Sequence, residues 1–203
     1  MSIQEFDRRA VRASVDVVAE VTVDDLGRPT PCAGWTLADL LAHMTVQHHG
    51  FAAAARGAGA DPEIWKVKPL GNDAVPLYTK AAEEVLAAFA EDGVLERGFT
   101  LPEFAPPEPG GKPVFPAPRA IGFHFIDYLV HAWDVARSIG IDYRPEPDLV
   151  EAAWPIALAV PDDERRTRPG AAFQPGLPVD GTTSRFDRVL AVLGRTPDWT
   201  PAS

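Results

Sequence analysis

The sequence predicts an all-α protein, a four-helix bundle in which one long proline-rich loop joins two of the helices. Long segments repeat apolar residues at helical spacing, and no segment shows a convincing strand pattern. The apolar fraction of 46% and the charged fraction of 24% are ordinary for a folded globular protein. Because 203 residues are enough for one core, we expect a single domain over residues 1–203.

The long helices are expected over about residues 3–24, 36–55, 73–90 and 118–140. Gly27 and Pro29 follow the first of them and should end it. Thr36 and Asp39 form the [ST]-x-x-[DE] pattern that caps the start of a helix. Gly140 is well placed to end the fourth helix, because glycine readily adopts the left-handed conformation found there.

The remaining segments are expected to be irregular or short. Residues 92–119 are rich in proline and glycine, which favours a long loop or lid with room for a short extended pair at most. A shorter helix is expected over about residues 148–160. A last helix over about 183–193 has Ser184 and Asp187 as a possible capping pair.

The net charge of −10 argues against a nucleic-acid partner, because binding phosphate requires clustered lysine and arginine. No stretch approaches the roughly 20 apolar residues of a membrane helix, and the N-terminus lacks a secretory signal pattern. The single cysteine, Cys32, cannot form an internal disulfide. We therefore expect a cytoplasmic protein.

A polar strip runs along the predicted fourth helix, within about 80° of its circumference. Its members are His124, Asp127, His131, Asp134 and Ser138. Such a strip is usually the solvated face of a helix, but this one contains no Lys, Arg or Glu. We therefore expect the strip to face inward, in which case its carboxylates and imidazoles need hydrogen bonds, ion pairs or a metal ion.

Asp127 and His131 are four residues apart, so both side chains can reach one ion. A third ligand should come from a facing helix, and the second helix offers His43, His48 and His49. Helical geometry slightly favours His48, which lies on the apolar stripe, over His43, which lies on its flank beside Gln47. These residues alone leave the choice open.

Three segments together resemble a recognisable group of bacterial proteins: TPCAGWTLADLLAHM, DYLVHAWDVA and FDRVLAVLGRTPDW. They are similar to the mycothiol-dependent maleylpyruvate isomerase family and its single-domain relatives, and the resemblance implies a DinB-like metal-binding fold. It also implies His43, Asp127 and His131 as the metal ligands. The isomerase pattern favours Glu as the acid, whereas this chain has the shorter Asp127.

Other polar residues near these positions are candidates for supporting roles. With His43 as the ligand, His48 becomes a core residue or a support behind the ligands, and His124, Asp134 and Gln47 are candidates to support or replace a ligand. Asp134 either orients a ligand histidine or is exposed. For the remaining candidates, the sequence favours an inert Cys32, a core position for Trp133, and anchoring of the C-terminus by Arg195 and Trp199.

The resemblance implies a divalent metal, with mycothiol as a possible cosubstrate. Two His and one Asp suit zinc first and nickel as the alternative, and they also accommodate iron or manganese. The leading hypothesis is a metal-dependent isomerase or transferase acting on a small electrophilic molecule with a low-molecular-weight thiol. One alternative is a metal-dependent hydrolase with Asp134 or His124 as general base. Another is a non-catalytic binding protein in which His124 completes a closed metal site. Oligomeric state is not indicated.

Overall fold

The computed structural model describes residues 1–102, 113–167, 173–179 and 183–201. Its α-helices over these ranges are α1 (Ile3–Val18), α2 (Leu37–Ala55), α3 (Ala74–Phe89), α4 (Ala117–Ile139), α5 (Pro147–Ala159) and α6 (Arg185–Val192). The predicted all-α class is confirmed: the fold is a DinB-like helical fold built on four long helices. Among the described residues, none of the helices combines the length and the hydropathy of a membrane-spanning segment.

Two short strands form the only sheet among the described residues. They are β1 (Gly98–Thr100) and β2 (Val114–Pro116), which pair antiparallel with Phe99 opposite Phe115. This pair lies within the segment predicted as a long loop with room for one short extended pair. Residues 103–112, the centre of the predicted lid, lie outside the described residues.

The long helices pack as two pairs, α1 along α4 and α2 along α3. Between the pairs lies a core of aliphatic and aromatic side chains that includes Val11, Leu41, Met44, Tyr78 and Tyr128. Helices α5 and α6 pack against each other over a second apolar cluster beside α4, which contains Phe125, Leu129 and Trp133 as well as Leu149 and Leu190. Helix α4 is therefore covered on several sides, as its apolar surface requires.

The predicted end of the first helix was wrong, because α1 ends at Val18 rather than near residue 24. Thr22 is extended, and its backbone N–H donates to the Asp25 carboxylate at 2.9 Å, which starts a separate short turn. Thr and Asp side chains that bond to nearby backbone in this way compete with helix continuation. A local capping interaction thus outweighs the apolar periodicity.

Several predicted helix boundaries are confirmed by their caps. The Thr36 hydroxyl accepts from the Asp39 N–H at 3.2 Å, and the Thr36 N–H donates to the Asp39 carboxylate at 3.0 Å. Gly140 ends α4 with a φ of 78°, in the left-handed region. Ser184 caps α6 by accepting from the backbone N–H of Asp187.

The Thr36 cap gives a direct test of this boundary. We expect Thr36→Ala to lower the free energy of unfolding by about 1 kcal/mol, because the first turn of α2 loses its side-chain acceptor. Urea denaturation measures this change, and Thr36→Ser, which keeps the hydroxyl, is the matched control. Equal unfolding midpoints for Thr36→Ala and the parent would contradict the proposed contribution.

Candidate metal centre

The polar strip of α4 faces the protein interior. His124, Asp134 and Ser138 have no exposed surface, and His131 is 4% exposed. Asp127 is the most accessible of the charged members, with 22% of its side chain exposed. The prediction that the strip faces inward is confirmed, and the alternative of a solvated face is wrong.

His43, Asp127 and His131 converge from α2 and α4. Each offers one donor atom, and the three donor atoms lie within 4.8 Å of one another. The distance from His131 Nε2 to Asp127 Oδ1 is 3.3 Å. Two ligands of a tetrahedral zinc ion at bond lengths of about 2.0 to 2.2 Å would be about 3.3 to 3.6 Å apart, so this pair is already at ligand spacing. The shorter side chain of Asp127 thus does not prevent this spacing.

Asp134 holds the other nitrogen of the His131 ring. His131 Nδ1 donates to Asp134 Oδ2 at 2.8 Å, which leaves Nε2 directed toward Asp127. Hydrogen bonds of this kind fix the tautomer and orientation of metal-binding histidines. Of the two expectations for Asp134, orientation of the histidine and exposure, the structure shows the first.

A second group of possible donors shares His131 and comprises Cys32, His131 and Asp134. A fixed cation already occupies this side, because Arg195 Nη2 contacts both Asp134 Oδ2 at 3.1 Å and Cys32 Sγ at 3.3 Å. Burial and the nearby charge of Asp134 also raise the pKa of the Cys32 thiol, which keeps it protonated. The group formed with His43 and Asp127 is the better cation site.

The charges around the three donors interact strongly. Burial works to lower the pKa of His131, but Asp127 and Asp134 outweigh it and hold this pKa well above its ordinary value. Burial works to raise the pKa of Asp127, but His131 outweighs it and lowers this pKa. Burial and the charge of His131 lower the pKa of His43 to about 4. At neutral pH, His131 therefore carries a proton between two carboxylates while His43 is neutral.

His124 and His48 lie in a separate buried chain of polar groups. His124 Nδ1 is 2.6 Å from Asp7 Oδ1, and His124 Nε2 is 3.1 Å from His48 Nδ1. The His48 ring also stacks on Tyr128, with centroids 3.9 Å apart. Both ring nitrogens of His124 thus have partners away from Asp127. Gln47 is buried on α2.

Sequence reasoning missed Asp7, although a signal for it was present. Asp7 lies four residues before Val11 and seven before Ser14, on the same face of α1 as the buried Val18. An acid within an apolar stripe requires a buried partner, and His124 is that partner. Ser14 meets a buried partner in the same way, at 2.6 Å from the Tyr78 hydroxyl.

The sequence of this chain matches the profile of a known protein family. The profile of the mycothiol maleylpyruvate isomerase N-terminal domain matches residues 8–136, which is well over half of the chain. The chain belongs to this family. The resemblance inferred from the three sequence segments is thereby confirmed.

Relatives of this family member include an uncharacterized protein of Mycobacterium tuberculosis, matched in two strains. Each match is 31% identical over 194 residues, covering 93% of this chain and 95% of the relative. Two crystal structures, of the mycothiol-dependent maleylpyruvate isomerase and of a mutant of it, share the fold with TM-scores of 0.61. They are 14% and 13% identical, and each comparison covers 81% of this chain and 70% of the other.

The matched segment contains all three converging donors but not the whole site. His43, Asp127 and His131 lie within residues 8–136, as does Asp134. Arg195, which contacts Asp134, comes from the segment after α6 and lies beyond the match. The residues around the candidate site therefore extend beyond the segment that matches the family profile.

Proposed function

We propose that this protein binds one divalent metal ion through His43, Asp127 and His131, and that it is a thiol-dependent isomerase or transferase for a small electrophilic molecule. The observation that carries the proposal is the convergence of these three donors on α2 and α4. Family membership supports the thiol, for which mycothiol is the candidate. Zinc is the first candidate metal and nickel the second, since imidazole and carboxylate donors suit both.

The donor set fits such an ion chemically. Three protein ligands are typical of catalytic zinc sites, which keep a further position for water or substrate. Asp127 is partly exposed and His43 is only partly buried, so the site can be reached from the surface on their side. A bound divalent ion would favour the thiolate form of a thiol that reaches it.

The chain's own residues would prepare and shape this site. His131 releases its Nε2 proton to become a ligand, while its Nδ1 proton stays on the hydrogen bond to Asp134. Asp127 adds the negative charge that a cation requires. The Trp35 ring packs against the His43 ring, with centroids 4.9 Å apart. Trp35 and Asp134 thus limit the movement of the two histidines.

The reactive thiol would come from outside the chain. Cys32 is the only cysteine, and it is held between Asp134 and Arg195 with its pKa raised by burial. A thiol with a raised pKa is a poor nucleophile at neutral pH. An external thiolate would add to a carbon–carbon double bond conjugated to a carbonyl, so that the carbon–sulfur bond forms as the π bond breaks and its electron pair moves to the carbonyl oxygen. In an isomerisation, this electron pair would return after rotation about the resulting single bond, re-form the double bond and expel the thiolate. In a transfer, the adduct would take up a proton and keep the sulfur.

The hydrolase alternative finds less support in the contacts. Asp134 and His124 were its candidate bases, but Asp134 binds Arg195 and His131, and His124 binds Asp7 and His48. The same contacts disfavour His124 as a fourth ligand of a closed site.

We also propose that residues 1–203 act as one domain, because α5 and α6 pack against the cluster beside α4.

An activity assay tests the proposed function. The zinc-loaded full chain is mixed with maleylpyruvate in the presence and absence of mycothiol, and the disappearance of substrate is followed. We expect turnover that requires both metal and thiol, is lost in Asp127→Asn, and is retained in His49→Ala, an exposed histidine on α2 paired with Glu84. Equal turnover without thiol would contradict the proposal.

Metal uptake should release about one proton per ion at pH 7. The pKa of His131 is well above its ordinary value, so it is protonated before binding and must lose that proton to coordinate. His43, with a pKa of about 4, is already neutral and contributes none. Affinity should therefore rise with pH until it passes the pKa of His131.

Calorimetric titration with zinc, in buffers of different ionisation enthalpy, measures the number of protons released. A binding enthalpy independent of the buffer at pH 7 would show that no proton is released. That result would contradict a charged His131 as a ligand.

A further inference from the structure

We propose that Arg195 is a positioning residue of the metal centre, acting through Asp134 on His131. The assignment rests on the proposed metal site and deepens it, since Arg195 lies in the segment after α6 and outside the family match. Arg195 is 3% exposed and Asp134 is not exposed at all, so the pair is a buried ion pair.

The guanidinium of Arg195 holds both oxygens of the Asp134 carboxylate. Arg195 Nε donates to Oδ1 at 3.1 Å, and Nη2 donates to Oδ2 at 3.1 Å. Oδ2 is also the oxygen that accepts from His131 Nδ1. Two-point contacts between arginine and a carboxylate fix the plane of the carboxylate. Arg195 therefore prevents Asp134 from turning away from the histidine.

Arg195 also links the elements that supply the ligands. Its Nη2 lies 3.3 Å from Cys32 Sγ, in the turn that leads into α2. Helix α2 carries His43, and α4 carries Asp127, His131 and Asp134. One buried side chain thus contacts α4 directly and α2 through its preceding turn. Its position affects the separation of the donors as well as the orientation of one of them.

The backbone before Arg195 sets the direction of this side chain. Gly194 has a φ of 77°, in the left-handed region, and a Cβ at this position would lie 2.3 Å from the carbonyl oxygen of Gln174. The N–H of Arg195 then donates to the Leu190 carbonyl at 2.9 Å. Only glycine fits this turn without strain. The turn at Gly194 therefore directs the chain after α6 back toward α4, where Arg195 contacts Asp134.

A second buried arginine in the same part of the chain provides a matched control. Arg166 is 4% exposed, and it donates to the backbone carbonyls of Pro161, Gln174, Val192 and Val160. Within the described ranges, none of these hydrogen bonds reaches His43, Asp127, His131 or Asp134. Replacement of Arg166 should therefore affect folding without affecting the metal donors.

The experiment compares Arg195→Met, Arg195→Lys and Arg166→Met in the full chain. Zinc affinity is measured by competition with a chelator, the cobalt(II) absorption spectrum reports donor geometry, and urea denaturation reports stability. We expect Arg195→Met to weaken zinc binding about 10- to 100-fold, as is typical for groups behind metal ligands, and to alter the cobalt spectrum. Arg195→Lys should recover part of this loss, because lysine keeps the charge without the planar fork.

Arg166→Met should lose stability but keep the zinc affinity and the cobalt spectrum of the parent. Parent-like affinity in Arg195→Met, or an equal loss in Arg166→Met, would overturn the positioning role. If Arg195→Met does not fold, a parent-like affinity and spectrum in Arg195→Lys would overturn it. A parent that binds no zinc would instead overturn the metal site itself, and the positioning role with it.

Discussion

Replacing His131 with alanine should reduce zinc affinity by more than about 100-fold, beyond the range expected for residues that support ligands from behind. His131 supplies the nitrogen 3.3 Å from Asp127, and it is the residue shared by both groups of candidate donors. Its loss therefore removes a ligand from either possible site. Metal content after dialysis against limiting zinc should fall from about one equivalent to near zero.

Two further variants make this result specific. His49→Ala is the matched control, because the His49 side chain is 42% exposed and pairs with Glu84 of α3. It should retain the metal content of the parent. His131→Asn tests whether loss of the ligand, rather than an empty space in the core, causes the effect. Retention of about one equivalent of zinc by His131→Ala would refute the assignment of this ligand.

Replacing Asp134 with alanine should destabilise the protein by about 3 to 5 kcal/mol, because Arg195 is left charged and buried without its carboxylate partner. Burial alone would raise the pKa of Asp134, but Arg195 and His131 lower it to about 2. A lowered pKa means that the ion pair stabilises the folded state above the ordinary Asp pKa of about 4. That contribution is lost as the pH falls through about 2.

Urea denaturation at pH 7 measures this loss of stability. Asp142→Ala is the matched control, because Asp142 and Arg144 form a pair that is 75% and 85% exposed. Exposed pairs contribute little, so the control should change stability by less than about 1 kcal/mol. Similar losses of stability in Asp134→Ala and Asp142→Ala would show that the buried Asp134–Arg195 pair contributes no more to folding than an exposed pair.

The α4 half of the proposed site could be predicted from the sequence because it is local. The four-residue spacing of Asp127 and His131 places both side chains on one face of a helix, whatever the rest of the chain does. The absence of Lys, Arg and Glu from the strip predicted that this face is buried, and it is. Asp134 was a candidate for the same reason, since it lies three residues after His131.

The α2 half could not be chosen from periodicity. His48 lies on the apolar stripe and His43 on its flank, but α2 is buried over most of its surface, so the stripe does not mark the direction of the site. In the structure His48 faces His124 and Tyr128, whereas His43 faces His131, with ring centroids 5.5 Å apart. Only the resemblance to the family pointed to His43.

Contacts between distant parts of the chain were beyond sequence reasoning. Arg195 contacts Asp134, which lies 61 residues earlier in the sequence, and Asp7 contacts His124, which lies 117 residues later. No local pattern specifies such partners, which depend on how α1 and the segment after α6 pack against α4. The sequence indicated that Arg195 would anchor the C-terminus, and the structure shows that the anchor is the carboxylate behind His131.

The most direct test of the central claim is anomalous X-ray diffraction at the zinc edge, on crystals of the full chain grown with zinc. The expected result is one strong peak between His131 Nε2 and the Asp127 carboxylate, at ligand distance from His43. A peak beside Cys32 Sγ would place the cation in the other donor group. That result, or the absence of any peak among these residues, would contradict the proposed metal centre.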